Sequence, residues 1–323
     1  MIKTSKKYRK FFQFTIKMSV VIATLYFIYY RLFFNKNLDI STLKNQIIKA
    51  VFKDYSSIII LLSLTILNWF VEILKWQVLV SKIKKINLFE AMKQSLTAHT
   101  AALSTPNRIG EYGIKAIYFN KKDRKKIMLL NLIHHMLQMT VTIIFGIIGA
   151  IYLKVHYNID LPKLRLRKII YYTTAIILFI FSGKKIINKK IRNFYVDKII
   201  GFIKSTPKKI LYKAFILSVI KYVIFVHQFV YLAYLFKVKI NYTQFLLLLF
   251  AYYFFASILP SIPIFDWLIK GSIAIMILQN EDINDVTTTI ITTIMWLLNF
   301  ALPAILGSYF ILKFKKQPYL YAK

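Results

Sequence analysis

The feature that most limits how this chain can fold is a series of apolar runs, each long enough to form a helix across a lipid bilayer. A membrane-spanning helix needs about 20 mostly apolar residues, and here 58% of residues are hydrophobic whereas 18% are charged. No small-residue cleavage site follows the first run, which indicates an uncleaved first span. The sequence therefore predicts an all-α polytopic membrane protein with a single domain, residues 1–323, and about six full spans at 13–34, 56–80, 127–153, 167–183, 211–236 and 286–312.

Two further apolar regions, 88–119 and 243–279, are broken in the middle by prolines. Neither half of either region is long enough for a comfortable full span. Non-helical backbone at membrane depth is tolerated only where it is buried in protein or lines a water-filled cavity. We therefore expect two re-entrant helical hairpins, with breaks at Pro106, Gly110, Pro260 and Pro263.

Basic residues predict the orientation of these segments, because cytoplasmic loops of membrane proteins are enriched in Lys and Arg. Strongly basic segments occur at both termini, at 81–85, at 120–126 and at 183–213. All of them can be cytoplasmic at once, and then the two hairpins enter the bilayer from opposite sides. We expect a protein of the cytoplasmic (inner) membrane of a bacterium, with both termini in the cytoplasm.

The formal net charge of +34 lies in short loops beside the spans. Such a distribution favours contact with anionic lipid headgroups over binding of nucleic acid, which needs a basic face on one domain. Residues 184–210 place Ile, Phe and Tyr at helical spacing among lysines. This pattern predicts a basic amphipathic connector that lies on the cytoplasmic lipid surface.

The tips of the two expected hairpins share a sequence pattern. Residues 110–117 read GEYGIKAI and residues 265–272 read FDWLIKGS, so an acid, an aromatic residue, any residue, Ile, Lys and a small residue recur in order. Inverted repeats whose broken helices meet near the bilayer midplane are a common plan of transporters. We therefore expect an inverted repeat, with one copy at about 55–153 and the other at about 208–313.

The charged residues at these tips are the strongest candidates for binding a substrate. A half-helix that begins after a break presents N–H groups without partners and a partial positive charge, and an Arg beside it is suited to bidentate capture of phosphate or carboxylate. Charges at this depth should face the protein interior. An acid and a Lys four residues apart can equally pair with each other and only staple the hairpin, so both interpretations stay open. The candidate substrate-binding residues are Arg108, Glu111, Lys115, Asp266, Lys270 and Glu72.

Other polar residues within the apolar runs have simpler expected roles. Lys75 can extend to the cytoplasmic interface, which would leave Glu72 in need of a partner; for Glu72 itself, facing a cavity and pairing with Lys75 one turn away both stay open. His227 and Gln228 occupy a place comparable to Glu72 in the second repeat, and His227 is expected to form a hydrogen bond between helices. The same role is expected for Asn131, Gln138 and Asn299.

Metal and thiol chemistry are not indicated. The chain has no Cys, which excludes disulfides, thiolate metal sites and cysteine nucleophiles. Its five His are scattered, and the adjacent His134 and His135 are expected on different faces of a helix, so metal-ligand spacing is absent. We expect no metal, no cofactor and no catalytic constellation.

The segments WFVEILKWQVLV and LTAHTAALSTPNRIGEYGIKAIYF carry a resemblance to a known family. The sequence resembles the lysylphosphatidylglycerol synthase transmembrane-region family, flippase-like proteins that include the membrane half of the multiple peptide resistance factor. The family's T-P-x-R-x-G-E motif corresponds here to Thr105, Pro106, Arg108, Gly110 and Glu111. The resemblance implies a membrane domain that moves or accommodates lipids with charged or glycosylated headgroups. The Gly-rich second motif of the family is replaced by IPIFDWLIKG, and we expect no aminoacyltransferase domain.

These observations favour a non-enzymatic lipid translocase that binds an anionic or modified phospholipid headgroup in a central polar cavity. The alternatives are a membrane-embedded enzyme that transfers a group onto a lipid or lipid-linked glycan, and an accessory subunit for such a reaction. Expected partners are the membrane, a phospholipid or lipid-linked substrate, and a separate lipid-modifying synthase. A homo-oligomer is also compatible with the sequence.

Overall fold

The computed structural model describes residues 54–103, 105, 108–157, 200–258 and 266–314, together with the isolated positions 22, 48 and 51. Within this part of the chain every regular element is a helix. Four helices are long and apolar enough to cross a membrane, namely Tyr55–Val80, Arg124–Tyr157, Lys208–Leu235 and Asp285–Lys313. The predictions for spans 13–34 and 167–183, for most of the 184–210 connector, and for Pro106, Pro260 and Pro263 lie outside the described residues.

The described helices follow the same order of lengths in each half of the chain: long, short, short, long. Asp54 begins the first helix by accepting a hydrogen bond from Ser56 N at 3.1 Å, and its contacts with Ser56 lower the pKa of the Asp54 carboxyl. Asn284 caps the last long helix through Val286 N at 2.8 Å. The helices are α1 (Tyr55–Val80), α2 (Leu88–Leu103), α3 (Ile109–Ile117), α4 (Arg124–Tyr157), α5 (Lys208–Leu235), α6 (Tyr242–Ile258), α7 (Asp266–Leu278), α8 (Asp285–Trp296) and α9 (Leu302–Lys313).

The last long helix changes its winding near the middle. A π-helical turn, Leu297–Ala301, joins α8 to α9. Pro303 has no N–H and so cannot donate to the carbonyl of Asn299, and Trp69 Nε1 of α1 donates to that carbonyl instead, at 3.1 Å. The irregular turn therefore fixes α1 against the last helix.

The two halves pack on each other through equivalent helices. The first long helices, α1 and α5, lie together, while the first short helix of each half packs on the second long helix of the other, α6 on α4 and α2 on α9. Glycines allow both of the latter contacts. A Cβ atom at Gly149 would overlap the backbone of Ala251, and one at Gly307 would overlap the carbonyl of Leu96.

Hydrogen bonds between α1 and α5 reveal how the halves are related. Lys221 Nζ lies 2.8 Å from Glu72 Oε2, and Gln228 Nε2 lies 2.8 Å from Thr65 Oγ1. Thr65 and Glu72 are two turns apart on α1, as are Lys221 and Gln228 on α5. The earlier residue of each helix therefore contacts the later residue of the other, so α1 and α5 run antiparallel and exchange contacts as a two-fold rotation requires.

Contacts between loops show which ends of the helices lie on the same side of the helical bundle. At one end the Lys82 ammonium donates to Phe202 O, Ser205 Oγ and Thr206 Oγ1, at 2.9, 2.8 and 2.7 Å. Partial burial and the nearby charge of Lys126 lower the pKa of Lys82 to about 8. The end of α4 lies instead beside the loop after α7, where the Tyr157 hydroxyl donates to Glu281. Segments 81–85 and 200–210, which were both predicted to be cytoplasmic, thus meet.

The glycine contacts generate a testable prediction. Gly307→Ala should lower the free energy of unfolding by about 1–3 kcal/mol, because the added methyl forces α2 and α9 apart. The matched control is Gly271→Ala in α7, whose Cβ would meet nothing within 4 Å and which should gain about 0.5–1 kcal/mol of helix stability. Thermal unfolding of the purified variants in detergent measures both, and equal melting temperatures for the two variants would contradict the close packing of α2 on α9.

Candidate functional site

A cavity of about 280 Å³ lies between the two halves of the chain. Side chains from α1, α2, α4, α5, α6, α7 and the α8–α9 helix all line it, so both halves of the chain contribute to its wall. The wall contains both charged and aromatic side chains. The charged and imidazole groups on the wall are Glu72, Lys75, His99, Arg108, His134, His135, Lys221 and Lys270, and the aromatic groups are Trp69, Tyr222, Phe225, Phe229, Tyr252, Tyr253, Trp296 and Phe300.

Glu72 is the centre of the first charged cluster on this wall. Its Oε2 atom lies 2.8 Å from Lys221 Nζ and 3.2 Å from Lys75 Nζ, and its Oε1 atom lies 2.8 Å from His134 Nε2. Lys75 also donates to Gln138 Oε1 at 3.1 Å. One carboxylate thus joins α1, α4 and α5, and it shares its negative charge between two ammonium groups.

Glu111 is the centre of the second cluster, directly behind the cavity wall. Its carboxylate contacts Arg108 at 3.1 Å, Lys115 at 3.0 Å and His135 at 3.0 Å. Lys115 is buried, donates to Asn131 Oδ1 at 2.7 Å, and lies 4.2 Å from the centre of a Trp76 ring. The cluster ties the short helix α3 to α4, and it leaves the Arg108 guanidinium at the cavity surface.

Arg108 occupies the break between α2 and α3 in a left-handed backbone conformation, with φ of 57°. Few residues other than glycine adopt this conformation, and it is often found at functional sites. Thr105 supports the turn, because its Oγ1 accepts from Gly110 N at 2.9 Å and donates to Ala101 O at 2.8 Å. Gly110 lies in the first turn of α3, where a Cβ atom would overlap Ala101 O.

The contact related by two-fold symmetry to the Glu72 cluster is uncharged. Gln228 replaces the carboxylate at the equivalent place on α5 and bonds to Thr65. Asn299 Nδ2 donates to Gln228 Oε1 at 2.8 Å, and Asn299 Oδ1 accepts from Asn68 at 2.8 Å. The side chains at equivalent backbone positions therefore differ: ionised groups lie near one end of the α1–α5 contact, and amides lie near the other.

Most of the predicted site residues meet at this cavity. Glu72, Arg108 and Lys270 line it, while Glu111 and Lys115 form the second layer behind Arg108. Lys270 Nζ lies 5.6 Å from the centre of the Phe300 ring. Asp266 begins α7, and its side chain is outside the described part of the structure.

Three features of the site were missed or misread from the sequence. The prediction that Lys75 reaches the interface is wrong, because it is 0% exposed and bound to Glu72 and Gln138. His134 and His135 bind different carboxylates, as their neighbouring positions imply, but both line the cavity. Lys221 was not singled out, although a Lys well inside an apolar span is a signal of function or of a buried partner.

The predicted interhelical hydrogen bonds are present. Asn131, Gln138 and Asn299 bond to Lys115, Lys75 and Gln228, respectively. His227 bonds to the Tyr242 hydroxyl at the start of α6 and does not line the cavity. Among the described residues, no group of three or more His, Cys, Asp or Glu side chains is arranged to hold a metal ion.

Comparison with known proteins yields no match, whether to a protein-family model, to a curated protein or to a solved structure. The resemblance described above therefore depends on the motif residues alone. The function has to be argued from the chemistry of the cavity.

The Glu72 cluster generates a second prediction. Glu72→Gln should lower the free energy of unfolding by about 3–5 kcal/mol, because it leaves the buried Lys75 without its carboxylate. Adding Lys75→Met should recover part of the loss, since the uncompensated charge is removed. Thermal unfolding in detergent measures this series, with Glu90→Gln on the exposed start of α2 as the control that should change little. If the double variant is no more stable than Glu72→Gln alone, the two groups are not coupled.

Proposed function

We propose that the protein is an integral membrane lipid translocase that binds the headgroup of an anionic or modified phospholipid in the cavity between its halves. The main supporting observation is the composition of the cavity wall, which combines cations with aromatic rings. A phospholipid offers a matching pair of surfaces, an anionic phosphate for the cations and a less polar glycerol region for the rings.

The charges around the cavity favour an anion. Among the described side chains that line the cavity or lie directly behind its wall, there are more cations than carboxylates, and the carboxylates are Glu72 and Glu111. In a medium of low dielectric constant a surplus of positive charge is expensive unless an anion enters. The cations bound to these two carboxylates are Lys75, Arg108, Lys115 and Lys221.

The antiparallel relation between α1 and α5 supports an inverted repeat with its two-fold axis in the membrane plane. The helices α2 and α3 also run antiparallel, since Thr97 near the middle of α2 bonds to Tyr118 just after α3. In our proposal they form a re-entrant hairpin with Arg108 at its tip, α6 and α7 form the second hairpin, and six spans complete the domain. Inverted repeats of this kind move a central site between the two sides by rocking one repeat against the other.

The size of the cavity assigns roles to the parts of the lipid. Pockets that enclose a whole drug-sized ligand measure roughly 300–1,000 Å³, and this one is about 280 Å³. The cavity therefore holds the headgroup, while the acyl chains stay in the bilayer. Arg108 binds the phosphate, because its guanidinium is partly exposed at the cavity surface, and Glu111 holds that guanidinium in position.

A second candidate function is transfer of a group onto a lipid. The observation that favours it is the pair of Glu–His contacts, Glu72 with His134 and Glu111 with His135, at 2.8 and 3.0 Å. Such a pair can activate a hydroxyl group as a general base. In that case, or if the protein is an accessory subunit, a separate synthase would supply the activated donor.

The translocase proposal predicts the effect of replacing Arg108. In liposomes with a fluorescent phosphatidylglycerol analogue, the wild-type protein should expose inner-leaflet lipid to a membrane-impermeant quencher. Arg108→Gln should slow this exposure about tenfold, the loss expected from one charge-assisted hydrogen bond, and Arg108→Lys should be intermediate because the charge remains. Lys125→Gln, at the exposed start of α4, should behave as wild type.

The same variants separate the alternatives. An unchanged rate for Arg108→Gln, with correct folding, would overturn the role of Arg108 in translocation. Loss of a modified lipid from the total lipid of cells, rather than from the outer leaflet alone, would instead support the group-transfer function.

A further inference from the structure

The two charged clusters indicate how many negative charges the bound lipid carries, in addition to the sign of that charge. We infer that the cavity is built for a phosphomonoester headgroup, which carries close to two negative charges at neutral pH, in preference to a phosphodiester with one. This inference rests on the proposed function, since it names the class of lipid that the same cavity binds.

The inference begins with the charge of each cluster. Glu72 is shared by Lys75 and Lys221, and Glu111 is shared by Arg108 and Lys115. Each carboxylate therefore balances one cation and leaves one positive charge over. His134 and His135 are neutral or positive, so protonation of either ring can only increase the surplus. Lys270 also lines the cavity, but the count from the two glutamates does not depend on it.

Burial then decides which cation of each pair can meet a ligand. The side chains of Lys75 and Lys115 are 1% and 3% exposed, so both are almost fully buried beside their carboxylates. The side chains of Lys221 and Arg108 are 22% and 46% exposed, and both line the cavity. Lys75 also borders the cavity, but in each cluster one cation is clearly more exposed to it than the other, and these two cations come from different halves of the chain.

A phosphomonoester matches this arrangement better than the other common headgroups. Its three terminal oxygens offer acceptors for both the Arg108 guanidinium and the Lys221 ammonium, and its two charges equal the surplus of the two clusters. An aminoacylated or choline headgroup would instead place a cation beside Arg108 and Lys221. Among the described side chains, the carboxylates near such a cation are Glu72 on the wall and Glu111 behind it, and each of them is already paired with two cations.

Binding of lipids with identical acyl chains tests the inference. The purified protein in detergent is titrated at pH 8 with phosphatidic acid (a monoester), phosphatidylglycerol (a diester) and phosphatidylcholine, with native mass spectrometry as the readout. Phosphatidic acid should bind about tenfold tighter than phosphatidylglycerol, the factor expected from one more charge-assisted hydrogen bond, and phosphatidylcholine should bind weakest. Inorganic phosphate should compete only poorly with phosphatidic acid, because it lacks the lipid part that contacts the aromatic side chains of the cavity.

Variants separate the cavity from the strongly basic surface of the protein. Lys221→Gln should bring the ratio of phosphatidic acid to phosphatidylglycerol affinity close to one, and the partly exposed Arg108→Gln provides a second variant if Lys221→Gln folds poorly. Lys213→Gln is the matched control, since it removes an exposed Lys from the same helix and should leave the ratio unchanged.

The possible outcomes distinguish this inference from the proposed function. Equal affinity for the monoester and the diester, or equal ratios in Lys221→Gln and Lys213→Gln, would overturn the inference even if translocation of lipid is observed. Competition by inorganic phosphate as strong as that by the lipid would make the site one for free phosphate. Selective binding of phosphatidic acid without any translocation would support the inference and refute the translocase.

Discussion

The structure depends on a single electrostatic constraint: a carboxylate inside an apolar helical bundle has to be paired. Glu72 and Glu111 satisfy it by contacting cations and imidazoles on other helices. Burying such charged groups away from water costs free energy. Removing one member of a buried pair costs more than replacing the whole pair by apolar residues. The two clusters therefore fix α1, α3, α4 and α5 relative to one another, and the cavity is the space that these fixed helices leave between the halves.

The cavity has unlike ends because the side chains at matching positions of the two halves differ. Equivalent backbone positions on α1 and α5 carry Glu72 and Gln228, and their partners are Lys221 and Thr65. The helices of the two halves thus follow the same order, whereas the side chains at equivalent positions of α1 and α5 differ. A polyanionic headgroup would be attracted to the Glu72 end, whereas the amide end can close around a neutral glycerol or an empty space at little electrostatic cost.

The sequence was most informative where the determining interactions are local. The apolar run 56–80 became Tyr55–Val80 and the run 286–312 became Asp285–Lys313, because the length of an apolar run decides whether a helix can span a bilayer. The contact of Glu111 with Lys115 was one of the two interpretations that the sequence left open, since the two lie one turn apart on one helix. His134 and Lys221 could not be assigned in this way, because their partner Glu72 lies on another helix and only the packing of α1 on α4 and α5 brings them together. Lys75 does lie one turn from Glu72 on α1, but its second partner, Gln138, comes from α4.

The most direct test of this account is a cryo-electron microscopy map of the protein in lipid nanodiscs that contain phosphatidic acid. The account predicts headgroup density inside the cavity, with the phosphate in contact with both Arg108 and Lys221 and the acyl chains leading into the bilayer. A well-resolved cavity without headgroup density, while ordered lipids are seen around the outside of the helices, would contradict it.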